Sequence, residues 1–320
     1  MGDRPLVSVV VPLLNEVKYV RAALDSLLAQ DYEPLEVLVY DGGSTDGTLE
    51  VLRNYPFEVV VEPGLSQMAA VNRGWRRTHA EFVTWMAGDD FYKSGAIRRL
   101  AEELLAHPEI GFVHADADVV DESGRLIKHV APGEVALRDL VASFEIVPQT
   151  TLIRRSALLR AGMMDESRRL AADWDLFLRL AQYYPSRYVP FTAAVRRLHR
   201  ASEDMRNIAA IGDAGIDVVR RFFERPDLTV EQRALRRWGL AGGHLMAAWC
   251  YCVSNQRYRA WLAMLAATRL AARIIVTPRA CRLLIRLLSP VQIPPPWERM
   301  RNVRETCSAH AARVGAMERR

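Results

Sequence analysis

The chain has 320 residues, half of them hydrophobic and a quarter charged, which excludes a disordered protein and predicts one large domain plus an appendage. Its formal charge of +5 is unevenly spread: residues 1–204 hold 23 Lys and Arg against 30 Asp and Glu, whereas 205–320 hold 20 Arg against 8 acids. Two surfaces of different character follow.

In chain order, residues 7–11 form a β-branched run, and an amphipathic stretch follows over 17–29 with Asn15 placed to cap its start. Residues 36–40 repeat the pattern of apolar strand, then a Gly/Ser/Thr/Asp turn, then a helix over about 48–54. Residues 57–62, 82–86 and 110–115 read as further strands, separated by helical stretches near 68–79 and 93–106. Such alternation predicts an α/β fold with a mostly parallel, doubly wound sheet. Ligands then sit outside the carboxyl ends of the strands, which singles out residues 12–16, 41–47 and 88–90. From about 116 to 200 the pattern is less regular, with a helix around 173–183 and a strand around 187–195. After Met205 the chain turns Ala/Leu/Arg-rich and helical, broken by Pro226, Gly239, Pro278, Pro290 and Pro294 to Pro296. The longest stretch without formal charge, between Arg237 and Arg257, contains three glycines and several polar residues, so no spanning helix is expected. Cys250, Cys252, Cys281 and Cys307 form no Cys-x-x-Cys pair, so neither a disulfide framework nor a zinc site is expected. The N-terminal residues run into a strand without a basic-plus-apolar leader, and a cytoplasmic location is expected.

Asp41 closes a strand and enters Gly42-Gly43-Ser44-Thr45-Asp46-Gly47, where glycines permit a tight turn and close backbone approach to a ligand. A carboxylate there can accept hydrogen bonds from a base N–H or ribose hydroxyls; a plain turn with Asp and Ser as local caps would look the same. Asp89-Asp90 follows the apolar strand 82–86 through Ala87-Gly88. Adjacent carboxylates repel, and a divalent cation with phosphate oxygens as its other ligands makes the pair favourable, although a solvated loop tolerates it too.

Pro12-Leu-Leu-Asn-Glu16, Glu36-Val-Leu-Val-Tyr-Asp-Gly-Gly-Ser-Thr-Asp-Gly-Thr48 and Ala87-Gly-Asp-Asp90 stand in order on consecutive strand ends. In these motifs the chain resembles the family 2 glycosyltransferases of GT-A fold. The resemblance continues through His114-Ala-Asp-Ala-Asp118, Pro148-Gln-Thr-Thr151, Gly162-Met-Met-Asp165 and Ala172-Asp-Trp-Asp-Leu-Phe-Leu-Arg179, and so covers about residues 5–200. It implies a GT-A type αβα sandwich over 1–204, with a donor half about 1–115 and an acceptor half about 116–204. A basic amphipathic helical region over 205–297 and a polar tail over 298–320 would follow.

The resemblance also implies an inverting transferase. Asp41 matches the nucleoside-binding aspartate, and Pro12, Asn15, Glu16 and Asp89 are expected around the nucleotide. Asp90 is expected to bind Mn2+ or Mg2+ bridging the diphosphate, with His199 a second candidate for the metal. Asp173 matches the catalytic base. A helix N-terminal acid stabilised by the dipole is the bland alternative, and Asp175, on a different helix face, is its rival. Trp174 is a candidate for stacking on an acceptor sugar and Gln149 for a second acceptor contact. The expected donor is a nucleotide sugar, UDP first with GDP and dTDP behind it. Ala69 and Val71 stand where relatives often place an acid or arginine, which leaves Asn72 and Arg73 as the candidate nucleotide contacts from that helix. A sugar nucleotidyltransferase wants a glycine-rich N-terminal loop that residues 12–16 do not supply. A donor-binding scaffold without chemistry fits poorly with Asp41, Asp89, Asp90 and Asp173 all present.

Between Glu231 and Glu298 there is no acid, while ten arginines alternate with aromatic and aliphatic residues. That is the pattern of helices lying on an anionic membrane surface, although helices packed on the catalytic domain with a solvated arginine face would read similarly. The expectation is a peripheral protein on the inner face of the plasma membrane that extends a surface polysaccharide or glycolipid on a glycan or lipid-linked acceptor. No nucleic-acid motif accompanies the charge.

Overall fold

The computed structural model describes residues 4–199, 202 and 206–288; the expected polar tail lies outside the described residues. Strand β1 (Val7–Leu13) is buried at every position, as a strand covered on both faces must be. Its Val7, Val9, Val11 and Leu13 pack in one layer with α1 (Val20–Leu28), while Val10 faces the opposite layer. Strands β2 (Leu35–Asp41) and β3 (Glu58–Val61) run parallel beside it, joined through the short α2 (Thr48–Leu52). Helix α3 (Gln67–Arg77) returns the chain to β4 (Phe82–Trp85), which pairs parallel with the other edge of β1. Gly74 allows this crossing to be tight: a Cβ there would stand 2.4 Å from Cγ2 of Val10.

The chain then lays down β5 (Phe91–Tyr92), α4 (Ala96–Ala106), β6 (Phe112–Asp121), β7 (Leu126–Val130) and α5 (Leu137–Ala142). After these come β8 (Thr151–Arg154), α6 (Arg155–Ala161), α7 (Ala172–Tyr183) and β9 (Ser186–Leu198). The sheet order is β3-β2-β1-β4-β8-β6-β9-β5, with β7 paired on β6. Strand β8 runs antiparallel between β4 and β6, and β9 lies parallel to β6, so β1, β2, β3, β4, β6 and β9 share one direction. The α/β expectation with a mostly parallel sheet holds. The irregular stretch 116–200 resolves into the short strands β7 and β8, whose hairpin and return were not separable by periodicity.

The C-terminal helices are α8 (Ile208–Phe222), α9 (Val230–Ala234), α10 (Arg236–Val253), α11 (Arg257–Leu270) and α12 (Pro278–Leu288). The first three follow β9 onto the α5/α7 side of the sheet, where Val218, Val219 and Phe222 join the core that holds Val141, Trp174 and Phe177. Small residues set the spacing: a Cβ on Gly242 would lie 2.3 Å from Cα of Ala142, and one on Gly215 would lie 2.7 Å from the Trp174 ring. A separate apolar cluster ties α10, α11 and α12 together through Leu245, Met264, Leu283 and Leu287.

His114, on β6, is fully buried with neither ring nitrogen hydrogen-bonded, and burial pulls its pKa down to about 4 from 6.5. A histidine with a depressed folded pKa contributes stability that is complete above the unfolded pKa and lost as pH falls toward the folded one. Between pH 6.5 and 4 the loss should reach roughly 3 kcal/mol, from about 1.4 kcal/mol per pKa unit. Urea denaturation across that range should therefore show a shallower pH dependence for His114→Gln than for the parent chain; equal slopes would exclude His114 as the cause.

Candidate functional site

The paired register of β1 and β2 sets Leu13 level with Asp41, so the loops leaving both strands start side by side. They are stitched together. The Asn15 N–H donates to Ser44 Oγ (2.8 Å), Glu16 N–H to Thr48 Oγ1 (2.9 Å) and Val17 N–H to Asp46 Oδ2 (3.1 Å), while Thr45 N–H returns to Asn15 Oδ1 (2.9 Å). Asn15 reaches this position with φ at 59°, a left-handed conformation that asparagine tolerates better than most residues. It does not cap α1, as the sequence suggested; Tyr19 occupies the cap without a side-chain bond, because Asn15 is drawn to the neighbouring loop.

Asp41 is fully buried at the end of β2. Its Oδ1 accepts from the N–H groups of Gly43 (2.9 Å) and Ser44 (2.6 Å), and its Oδ2 from Ser44 Oγ (2.6 Å). The carboxylate therefore shapes the turn that lies beside Pro12 and Leu13, whichever ligand the turn meets.

The third strand-end loop, after β4, carries Asp89 and Asp90. Gly88 brings it hard against the first loop, since a Cβ there would stand 2.1 Å from Leu13 Cδ2 and 3.2 Å from Glu16 Cγ. Strand β9 closes the group from the other side. The Arg197 N–H donates to Asp90 Oδ1 (2.8 Å), Arg197 Nε to the Asp89 carbonyl (3.3 Å), and His199 Nε2 lies 3.0 Å from Asp89 Oδ2. The Arg197 guanidinium lies 5.0 Å from the Tyr19 ring centre, and the His199 ring 4.9 Å from it.

Charge is crowded here. Burial, and then Asp89 and Asp46, push the Glu16 carboxyl up to about 7. Burial and the Asp89 charge raise buried Asp90 well above the usual carboxylate range. The hydrogen bond to Asp89 raises the His199 imidazole, against the effect of its burial. Among the described residues no three His, Cys, Asp or Glu side chains converge as a complete metal ligand set. That donor set fits a Mg2+-like mode, in which one or two carboxylates bind the ion and substrate phosphates supply further ligands. A cation would also offset the burial and the neighbouring Asp89 charge that push Glu16 and Asp90 toward protonation.

The expected acceptor residues fall elsewhere. Asp173 is half-buried in the first turn of α7, and its Oδ1 accepts from the Trp174 N–H (2.8 Å). Its rival Asp175 is committed to Arg179, 2.9 Å from Nε and 2.8 Å from Nη2. Arg179 in turn donates to the carbonyls of Ala161, Gly162 and Met163, so this pair fixes the loop that leads into α7. Trp174 is corrected by the structure: it is buried, its Nε1 donates to the Leu140 carbonyl (2.7 Å), and Phe144 and Gly215 cover its ring. No face remains for a sugar. Gln149 is buried beside β8 with its Oε1 unpaired.

Asn72 is corrected as well. It is buried, donates to the Met164 carbonyl (2.9 Å) and Glu166 Oε1 (2.8 Å), and accepts from the Met164 N–H (3.0 Å). It holds the loop before α7 instead of facing a nucleotide, and Arg73 is paired with Glu62. Ser44, Tyr19 and Arg197 were missed as site residues. Only Arg197 carried a signal, a basic pair at the end of a strand in a chain with two adjacent acids elsewhere.

Residues 8–160 match the model of glycosyl transferase family 2. An uncharacterized glycosyltransferase of Rickettsia typhi is 29% identical over 197 residues, 56% of this chain and 61% of that protein. The chondroitin synthase of Escherichia coli is 25% identical over 209 residues, 64% of this chain and 30% of its own length. The chain thus spans less than two thirds of these relatives. In structure it is similar to a mannosyltransferase from Pyrobaculum calidifontis solved in complex with GDP-Man and Mn2+, with a TM-score of 0.60 at 20% identity over 89% of this chain and 86% of that one.

Removing the stitch at its centre should loosen the whole group. Ser44→Ala leaves the Asn15 N–H and one oxygen of buried Asp41 without that partner, a loss of about 1–3 kcal/mol in urea denaturation. A loss under about 0.5 kcal/mol, the range of ordinary surface substitutions, would mean the loops do not depend on it.

Proposed function

We propose, from the match of residues 8–160 to the model of glycosyl transferase family 2, that the chain moves a sugar from a nucleotide diphosphate sugar to a glycan or lipid-linked acceptor with inversion at the anomeric carbon. The observation that carries this reading is that the loops after β1 and β4 bring Glu16, Asp89 and buried Asp90 close together, with Arg197 and His199 arriving from the end of β9. Asp90 and His199 are the side chains we assign to Mn2+ or Mg2+, which would neutralise charge on the departing diphosphate. The Mn2+ in the Pyrobaculum neighbour supports this choice. Pro12, Asn15, Glu16, Asp41 and Asp89 line or shape the loops assigned to the nucleotide, with UDP the first candidate and GDP supported by that neighbour.

Asp173 is assigned the proton of the acceptor hydroxyl. It stands in the first turn of α7 at the position that matches the family's base, while its rival Asp175 is bonded to Arg179 and fixes the loop into that helix. A positioned base contributes about 10²–10⁴ in rate. Asp173→Asn should therefore lose transfer by that factor while keeping Mn2+-dependent nucleotide binding, read by calorimetry; undiminished transfer would remove Asp173 from the role.

The acceptor is proposed to lie at an anionic membrane surface, as part of surface polysaccharide or glycolipid synthesis, with the protein peripheral on the cytoplasmic side. No described helix is long and apolar enough to cross a membrane. Support comes from α11, whose Tyr258, Leu262 and Leu265 are exposed at helical spacing opposite its buried Ala260, Ala263 and Ala267, and from exposed Val276, Ile285 and Leu288. Arg269, Arg273 and Arg282 are exposed among them. Apolar side chains with arginines on a solvent face suit the headgroup boundary. Leu262→Asp with Leu265→Asp should reduce co-sedimentation with phosphatidylglycerol vesicles and leave nucleotide binding unchanged. Retained sedimentation would refute this face.

A further inference from the structure

Strand β7 is held by little. Among the described residues it pairs only with β6, its ladder shifts register between Val119 and Val120, and none of its residues joins an apolar cluster. Yet it backs a stretch that matters. Residues 117–120 of β6 lie between β7 on one side and 194–197 of β9 on the other, and Arg197 is the residue whose N–H holds Asp90.

What crosses from β7 to β6 is a histidine between two acids. His129 stands opposite Asp118 in the ladder, with Nδ1 2.9 Å from Asp118 Oδ1 and Nε2 3.6 Å from Asp116 Oδ2. The other two oxygens are engaged behind it. Asp116 is buried and its Oδ1 accepts from the Tyr188 hydroxyl on β9 (2.6 Å), while Asp118 Oδ2 lies 3.8 Å from Lys93 Nζ, just after β5. The Tyr188 N–H donates to Glu134 Oε2 (3.1 Å), and Lys128, beside His129 on β7, feels Arg196, Glu145 and Arg279 instead. A neutral imidazole carries one N–H and one lone pair, so one of the two carboxylates must face the lone pair; the imidazolium points an N–H at both. The hydrogen bond to Asp118, against the effect of burial and with the Asp116 charge, raises the His129 imidazole above its ordinary range. Tyr188 is not the titrating group, because its hydrogen bond to Asp116 pushes it up to about 12.

We infer that His129 is a proton-operated fastener: with its ring charged, β7 is drawn onto β6 and backs the strand end that holds Asp90, and with its ring neutral, β7 frays. Fastening is complete below the unfolded histidine pKa and is lost as pH rises through the raised folded one. It does not depend on the function proposed above.

The test is hydrogen exchange of the full chain, read by mass spectrometry from about pH 6 to about pH 9, where histidine titrates and carboxylates stay ionised. Exchange is expressed as protection factors, which removes the pH dependence of the chemical rate. Peptides covering 126–130 should lose protection about two- to fivefold as pH rises, the range of a half-exposed charge pair, while those covering 7–13 in β1 stay level. His129→Gln should be flat at the weakly protected level, and Asp118→Asn should move the fall to lower pH. His199 is also raised, by Asp89, and the His129→Gln profile separates the two rings. A parent profile without a fall, a fall that persists in His129→Gln, a midpoint unmoved in Asp118→Asn, or an equal fall over 7–13 overturns the fastener.

Discussion

The hydroxyl of Ser44 donates to Asp41 and accepts from the Asn15 backbone, and through it two strand-end loops become one surface. These loops leave adjacent parallel strands at the same level, Leu13 beside Asp41, and hydrogen bonds tie them together. Here the tie is polar and almost entirely side chain to backbone, with Thr48, Asp46 and Asn15 repeating the device. Glu16 is positioned as a by-product: its N–H is taken by Thr48, and its side chain is left beside the loop that Gly88 brings in.

Around that fixed surface the acids are placed where they are electrostatically uncomfortable. Asp90 is buried against Asp89, and the counter-charge arrives only through β9, as a backbone N–H, an arginine and a histidine. Perturbed carboxylates cluster at functional sites, and structural ion-pair networks produce them as well.

The first half of the sheet was legible in the sequence because β-branched runs, glycine turns and amphipathic helices alternate there with little ambiguity. Asp41, Asp89 and Asp90 stood out because they fall at strand ends in order. Periodicity failed from Asp116 onward, where a five-residue and a four-residue strand pair antiparallel and long-range register replaces local pattern. Trp174 and Asn72 were misjudged for one shared reason: polar or aromatic residues on a helix face look functional until the partner 34 or 92 residues away is seen. His199 was weakly signalled because its place depends on how far β9 continues past Val195.

The recognisable family segment ends at residue 160, yet the backbone donor that holds Asp90 comes from Arg197 and the ring beside Asp89 from His199. The portion of chain that similarity marks most clearly is thus shorter than the portion that brings the strand-end side chains together. A piece cut at that mark would keep its turns and acids and lose the strand that clamps them. The unit that holds the strand-end acids in place therefore runs on through β9, well beyond the stretch that similarity marks.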